Sequence, residues 1–204
     1  MTGVASVTLE VSDVAAAENF YAKAFDLNGT VGVRESDAPT TGFRGFTMSL
    51  VVAQPSTVDS LVGTAIDAGA TVLKPVEKTF WGYGGVVQAP DGAVWKVASS
   101  SKKNSGPPTR AVDDVVLLLG VEDVKATKQY YVDHGLAVAK SFGSKYVEFD
   151  TQGSAVKLAL YSRRAAAKDA GIPPEGSGSH RIVIGSDADA FTDPDGFVWE
   201  PASS

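Results

Sequence analysis

The chain contains no cysteine, and only two of its 204 residues are histidines. The absence of cysteine excludes disulfides, thiolate zinc sites and cysteine nucleophiles. The sequence also has no apolar run of the roughly 18 residues that a membrane-spanning helix needs, so we expect no membrane partner. Its first residues lead directly into the strand-like segment Val4–Val11, without a basic region or an apolar core. We therefore expect no secretion signal and a cytoplasmic location.

Acidic residues outnumber basic ones, 24 to 18, which gives a net charge of −6 and an isoelectric point near 4.9. Nucleic-acid binding needs a basic face that neutralises phosphates, and the sequence offers none. We therefore expect no nucleic-acid partner. With 44% hydrophobic and 21% charged residues, the composition is that of an ordinary soluble globular protein.

Two phrases of the sequence occur twice, in the same order. Pro90–Lys96 (PDGAVWK) returns as Pro194–Glu200 (PDGFVWE), and its most drastic chemical change replaces Lys96 by Glu200. Upstream, Val11–Val14 followed by Phe-Tyr returns as Val121–Val124 followed by Tyr-Tyr. Two repeats in one order indicate a tandem duplication of a structural unit.

The duplication divides the chain into a domain over residues 1–101 and a domain over residues 110–204. The polar segment 102–109, rich in Ser, Lys, Gly and Pro together with its neighbours, is the predicted linker. The first half is short of strands after its first helix, and the second lacks a counterpart of the predicted helix Val58–Ala68. Each half therefore leaves sheet edges that the other half or a second chain must cover. This predicts a monomer with internal pseudo-symmetry or a homodimer.

Local patterns predict several structural roles. Asp13 precedes the helical pattern Val14–Phe25 as an N-cap. Trp95 and Trp199 alternate with Lys96 and Glu200 along their strands, so we expect the indoles to pack under the helices. His134 ends a predicted helix, where a C-terminal cap is the simplest role.

A strand, a helix with Asp-Val and Phe-Tyr, short strands and a closing Pro-Asp-Gly-x-x-Trp-Glu resemble the vicinal oxygen chelate superfamily. This superfamily includes glyoxalases, bleomycin resistance proteins and extradiol dioxygenases, and the resemblance covers nearly the whole chain. It implies an α+β fold of tandem lobes, in which βαβββ modules pair edge to edge around a cup. Here each lobe is expected to be partly trimmed.

Enzymes of the superfamily hold a divalent metal in the cup through residues of the first strand, a middle strand, the strand that opens the second module, and the last strand. Carried over strand by strand, the ligand positions of this chain hold Ser6, Phe46, Lys96, Val116, Leu158, His180 and Glu200. Only His180 and Glu200 are ligand types, whereas a mononuclear site usually needs three, and Lys96 places a cation where a metal would lie. We expect no cofactor; the alternative is a divalent metal on His180 and Glu200.

The segment Phe80–Gly85 (FWGYGG) combines aromatic rings with glycines beside the expected cup. Such a segment suits a flat ligand lying against the backbone, although a purely structural turn explains it equally well. Glu10 and Lys96 are both expected to face the first cup, as a simple ion pair or as an acid–base pair. The predicted ligand-binding residues are Glu10, Phe80, Trp81, Tyr83 and Lys96, and no catalytic residue is predicted.

Three functions remain open at this point. The first is a metal-free cup that binds or sequesters a small apolar or aromatic compound, as the bleomycin-resistance branch of the superfamily does. The second is a metal-dependent lyase, isomerase or ring-cleaving dioxygenase that uses His180 and Glu200. The third is a protein without a small-molecule site, whose trimmed halves serve regulation or assembly.

Overall fold

A computed structural model describes residues 3–27, 29–150 and 153–202. The first half of the chain forms two modules joined by a short strand, β3 (Thr40–Gly42). The first module consists of β1 (Val4–Val11), α1 (Val14–Ala24) and β2 (Val31–Glu35). The second module consists of β4 (Phe46–Val51), α2 (Pro55–Asp67), β5 (Thr71–Thr79), β6 (Gly82–Gln88) and β7 (Val94–Ser99).

The second half also forms two modules, and a helix α4 (Arg163–Ala170) and a short strand β12 (Gly176–Gly178) connect them. The third module consists of β8 (Asp114–Val121), α3 (Val124–Asp133), β9 (Ala137–Ser141), β10 (Tyr146–Asp150) and β11 (Lys157–Ser162). The fourth consists of β13 (Ile182–Ser186), β14 (Phe191–Thr192) and β15 (Val198–Pro201). The second and third modules are complete βαβββ units, whereas the first and fourth are trimmed, which confirms the predicted α+β class and the trimming of each half.

The two complete modules share one eight-stranded sheet with the strand order β5-β6-β7-β4-β8-β11-β10-β9. Its centre is the antiparallel pair β4 and β8, in which Phe46 lies opposite Leu119 and Val51 lies opposite Asp114. The strands on either side of this pair belong to different halves of the sequence. The sheet therefore joins the two halves of the chain that the predicted linker separates in sequence.

The two trimmed modules share the second sheet, whose order is β14-β15-β13-β1-β2. Here β1 pairs with β13 in antiparallel register, with Val7 opposite Ile184 and Leu9 opposite Ile182. Strands β3 and β12 form a separate two-stranded ribbon. Each sheet thus takes strands from both predicted domains. The division at 102–109 stays a prediction about sequence units, and residues 1–2 and 203–204 of its ranges lie outside the described residues.

One continuous apolar core joins both sheets to helices α1, α2 and α3. Trp95 and Trp199 lie fully buried in it, which confirms their predicted packing. The carboxylate of Asp13 accepts a hydrogen bond from the N–H of Ala16 at 2.9 Å and caps α1 as predicted. At the end of α3, His134 is the C-cap residue and its Nδ1 lies 2.8 Å from the carbonyl oxygen of Tyr130. Among the described helices, none combines the length and apolar character required to cross a bilayer.

Cleavage of the linker is expected to leave the two halves of the chain associated, because three antiparallel strand pairs join them. Lys102 and Lys103 are exposed and offer the cleavage site, whereas Gln54 holds the following residues through hydrogen bonds to Pro107 and Ser105. Limited trypsin digestion followed by size exclusion should give one peak that resolves into two fragments on a denaturing gel. Fragments that elute separately under native conditions would refute this topology.

Candidate functional site

The aromatic segment predicted to contact a ligand forms the tip of the β5–β6 hairpin. Phe80 and Trp81 are 81% and 84% exposed, and their rings meet edge to face at 5.0 Å. Lys102 donates a hydrogen bond to the carbonyl oxygen of Phe80 and places its ammonium 5.7 Å from the ring centre. Apolar rings of this size are seldom left so exposed, and an exposed aromatic pair beside a concave surface is typical of a binding site.

The glycines of this segment have a structural reason to be there. Gly82 has φ +153°, and a Cβ at this position would lie 2.1 Å from the carbonyl oxygen of Ser99. A Cβ on Gly85 would lie 2.8 Å from a side-chain carbon of Val76. Strands β5 and β7 therefore approach β6 too closely for larger residues, so these glycines alone do not indicate a ligand.

A cleft of about 240 Å³ opens between strands β5, β6 and β7 and the end of helix α4. Trp81, Lys96 and Asp169 are among the residues that line it. The strand register separates the first two, because Lys96 lies opposite Val86 on β6, four residues beyond Gly82, which follows Trp81. Gly84, Val86 and Ala98 are further lining residues. The structure thus brings three of the five predicted ligand-binding residues to the border of one cleft, namely Trp81, Tyr83 and Lys96.

Tyr83 also borders this cleft, but its ring packs against the main core. Its hydroxyl donates a hydrogen bond of 2.7 Å to the carboxylate of Asp59 on α2. That hydrogen bond, with some desolvation and the charge of Asp59, raises the pKa of Tyr83. The ring of Tyr83 is therefore engaged on the opposite face of the sheet from the cup, and Phe80 is not among the residues that line the cleft.

Helix α4 fills the rest of the cup of the eight-stranded sheet. Its buried residues Ala166 and Ala167 pack against Leu118 and Ala159 on the concave face, and Ala170 packs against strands β6 and β7. Gly120 on β8 permits the close approach, because a Cβ there would lie 2.9 Å from that of Ala166. Beside the aromatic hairpin, a cleft stays open between strands β5, β6 and β7 and the end of α4.

Lys96 projects into this remaining cleft and is bound by α4. Its Nζ donates to both carboxylate oxygens of Asp169, at 3.0 and 2.7 Å. Sequence reasoning identified Lys96 as a cation at a metal-ligand position but missed Asp169, which lies on a helix that carries no repeated motif. Two other residues carried over to ligand positions point into the main core instead of the cup: Phe46, at the strand opening the second module, and Leu158, at a middle strand.

The prediction that Glu10 and Lys96 face the same cup is wrong, because β1 lies in the five-stranded sheet and β7 in the eight-stranded one. Glu10 instead accepts hydrogen bonds of 3.0 and 2.8 Å from Arg34. The same guanidinium donates to Glu200 at 3.2 and 3.0 Å. Burial acts to lower the pKa of Arg34, but the hydrogen bonds to the two carboxylates outweigh it and raise that pKa. Arg34, which no sequence signal singled out, thus holds Glu200 and Glu10 together.

His180 and Glu200, the alternative metal ligands, do not converge. His180 lies with Nδ1 2.5 Å from the carbonyl oxygen of Arg44 and Nε2 2.9 Å from that of Asp195, and its ring stacks on Phe197 at 3.9 Å. In the parallel ladder Glu200 lies opposite Gly185 on β13, whereas His180 precedes that strand. Both ring nitrogens of His180 are engaged by the backbone and Glu200 is bound by Arg34, so this donor set does not fit a metal. No cluster of three or more His, Cys, Asp or Glu side chains suited to a metal occurs in the described ranges.

The repeated motifs have a structural role that sequence reasoning missed. In the first copy the hydroxyl of Tyr21 donates to Asp91 at 2.5 Å and lies 3.4 Å from the indole nitrogen of Trp95. In the second copy the hydroxyl of Tyr131 donates at 2.5 Å to Asp193, and Trp199 again lies 3.4 Å away. Burial, followed by the neighbouring carboxylate, raises the pKa of both tyrosines well above the usual value. The tyrosine–indole contact thus recurs in both copies, but the carboxylates are not equivalent, because Asp195 and not Asp193 corresponds to Asp91 in the repeated motif. Thr127 donates a hydrogen bond of 2.8 Å to Asp195, so the repeated aspartate also links α3 to its closing hairpin.

Comparison with known proteins shows no matching family model and no matching curated protein. Solved structures do match. Glyoxalase I from Zea mays is similar with a TM-score of 0.62 and 13% identity, over 98% of this chain and 91% of that chain. A putative dioxygenase from Bacillus subtilis is similar with a TM-score of 0.62 and 11% identity, over 97% of this chain and 83% of that chain. The chain therefore has the fold of the vicinal oxygen chelate superfamily, and at these identities the likeness concerns the fold alone.

Proposed function

We propose that this protein binds a small aromatic compound, without a metal, in the cleft between the β5–β6 hairpin and helix α4. The observation that carries the proposal is the cleft itself, which is lined by Trp81 and by the Lys96–Asp169 pair. Binding sites of this kind combine an apolar surface with a few polar groups that orient the ligand.

The exposure of Trp81 supports an aromatic ligand. Trp81 keeps 84% of its surface accessible, whereas Trp95 and Trp199 are fully buried. An indole gains most when a flat ring covers it, because it then buries a large apolar area and stacks favourably. The volume of about 240 Å³ is below the 300–1,000 Å³ of typical drug-sized pockets, so a compound of one or two rings fits best.

The position of the charged side chains favours this proposal over a metal-dependent lyase, isomerase or dioxygenase. In the eight-stranded sheet Lys96 carries a positive charge into the cup, and in the five-stranded sheet Arg34 binds Glu200. A divalent cation would meet repulsion from Lys96 and competition from Arg34. A metal-free binding site therefore agrees better with these charges than a metal centre does.

Trp81→Ala is expected to weaken binding of the best aromatic compound from a small panel by about 1–3 kcal/mol, the scale for covering a large apolar side chain. Isothermal titration calorimetry measures this without relying on the removed fluorophore. Phe142→Ala is the matched control, because Phe142 is also exposed, at 63%, but follows β9 at the far edge of the sheet. That control should leave the affinity unchanged.

Two results would count against the proposal. If no compound of the panel binds, the third function, regulation or assembly without a small-molecule site, becomes the better explanation. If tag-free protein contains one equivalent of a divalent metal that His180→Ala or Glu200→Gln removes, the metal-dependent alternative replaces it. The predicted cytoplasmic location and the choice between monomer and homodimer stay predictions.

A further inference from the structure

Asp169 occupies a position that a helix ordinarily disfavours. It lies in the last turn of α4, one residue before the helix ends at Ala170. The negative end of the helix dipole repels a carboxylate in this turn. Violations of such local rules are expected mainly at functional sites, where another interaction compensates for them. Here the compensation is the ion pair with Lys96, at 2.7 Å.

The Lys96–Asp169 pair is accessible from the cleft. The side chain of Lys96 is 33% exposed and that of Asp169 is 35% exposed, so the carboxylate can rotate into water while α4 stays in place. Lys74, which donates from Nζ to the carbonyl oxygen of Lys168 at 2.8 Å, holds this end of the helix independently of Asp169. The carboxylate is therefore an exchangeable partner of Lys96.

We infer that the compound bound in this cleft is a small planar aromatic carboxylate whose acid group replaces Asp169 on Lys96. This inference rests on the proposed function, because it assigns the chemical class of ligand to the same cleft. The aromatic ring lies toward Trp81 and the carboxylate toward Lys96, which both line the cleft. Asp169 occupies the anion position when no ligand is present.

The charges that line the cleft cancel, so the choice of an anion rests on the exchange of Asp169 for another carboxylate. Two lysines, Lys74 and Lys96, are balanced by Glu77 and Asp169. An incoming carboxylate that takes the place of Asp169 on Lys96 preserves a charge-assisted hydrogen bond. An incoming ammonium would compete with Lys96 for Asp169 and leave two cations close together, and a neutral amide would lose the charge assistance.

The experiment compares benzoate, benzamide and benzylamine as probes of equal size and different charge. The readout is the indole N–H resonance of Trp81 in a ¹⁵N correlation spectrum, in which the chain's three tryptophans give three signals and Trp81→Phe assigns the relevant one. We expect benzoate to bind more tightly than benzamide, and benzylamine not to bind.

Asp169→Asn should tighten benzoate binding about two- to fivefold, the factor that a partly exposed ion pair is worth. Lys96→Gln should weaken benzoate binding about tenfold or more and leave benzamide within a factor of two. Asp187→Asn is the matched control, since it removes the same charge from an exposed position after β13 and should change neither affinity. Circular dichroism of each variant checks that the fold is retained, and Asp169→Ala provides a second test of the exchange.

The outcomes separate the inference from the proposed function. If benzamide and benzoate bind equally well and the Lys96 and Asp169 variants change neither affinity, the assignment of a carboxylate is overturned while the aromatic cleft stands. If benzylamine binds best, the polarity of the site has been assigned wrongly. If none of the three probes shifts the Trp81 resonance, the cleft is not a binding site for aromatic compounds and both proposals fail.

Discussion

Trp199→Ala is expected to lower the free energy of unfolding by about 3–5 kcal/mol, the range observed when a buried tryptophan is truncated. The side chain is fully buried. Its ring stacks on Phe191 at 5.1 Å and meets Tyr131 edge to face at 5.2 Å. The substitution leaves a cavity that the neighbouring strands cannot collapse to fill, because β13 and the helix α3 hold the surrounding residues in place.

Trp81→Ala provides a control of the same chemical type, since Trp81 is 84% exposed. Truncation of an exposed side chain away from the core usually changes stability by less than about 0.5 kcal/mol. Urea unfolding followed by far-ultraviolet circular dichroism measures both variants, independently of their altered fluorescence. Equal losses of stability in the two variants would show that the buried packing of Trp199 contributes no more to stability than the exposed Trp81 does.

Asp193→Ala is expected to lower the free energy of unfolding by about 2–4 kcal/mol, although the cavity that it creates is small. The carboxylate is almost completely buried. It accepts hydrogen bonds from the hydroxyl of Tyr131 and from the backbone N–H groups of Asp195 and Phe197. Each buried donor left without a partner costs about 1–3 kcal/mol, and water reaching the hairpin recovers part of the loss.

The pH dependence of stability gives a second measurement on the same residue. Burial raises the pKa of Asp193 above its usual value of 3.8, although hydrogen bonds from Tyr131 and from the backbone of Phe197 partly oppose the rise. The folded state therefore binds a proton more readily than the unfolded state does. The resulting stability is fully present below the pKa of the unfolded chain and is lost as the pH rises through the pKa of the folded state.

Asp193→Asn removes this titration while keeping an acceptor for the two backbone N–H groups. We therefore expect the wild type to gain stability relative to Asp193→Asn as the pH falls from 7 toward about 4. Urea unfolding at several pH values, restricted to those at which both proteins are folded, measures the difference. If the difference in unfolding free energy between the two proteins stays constant on acidification, or if the wild type loses stability relative to Asp193→Asn, the raised pKa is contradicted.

Local sequence was sufficient for helix caps and for the burial of the repeated tryptophans. Asp13 and Asp123 cap the helices that follow them, because an N-cap acts on N–H groups only two or three residues away. The alternation of Trp95 with Lys96 assigned one side chain to the core and the other to the cup, since successive residues of a strand face opposite sides. The duplication and the trimmed first and fourth modules could likewise be recognised from the order of motifs along the chain.

Only the tertiary structure decided which modules pair and which charges meet. A strand edge offers the same N–H and C=O groups to any partner, so the sequence of β4 does not specify that it joins β8 across the linker. The charged partners lie far apart in sequence: in the candidate cleft Asp169 is 73 residues from Lys96, and in the five-stranded sheet Glu200 is 166 residues from Arg34. These contacts depend on the pairing of modules and on the course of α4 through the cup, which bring together residues that are distant in sequence. The sequence by itself therefore determined that the modules are duplicated and trimmed, and the tertiary structure decided which sheets they share and where α4 covers the cup.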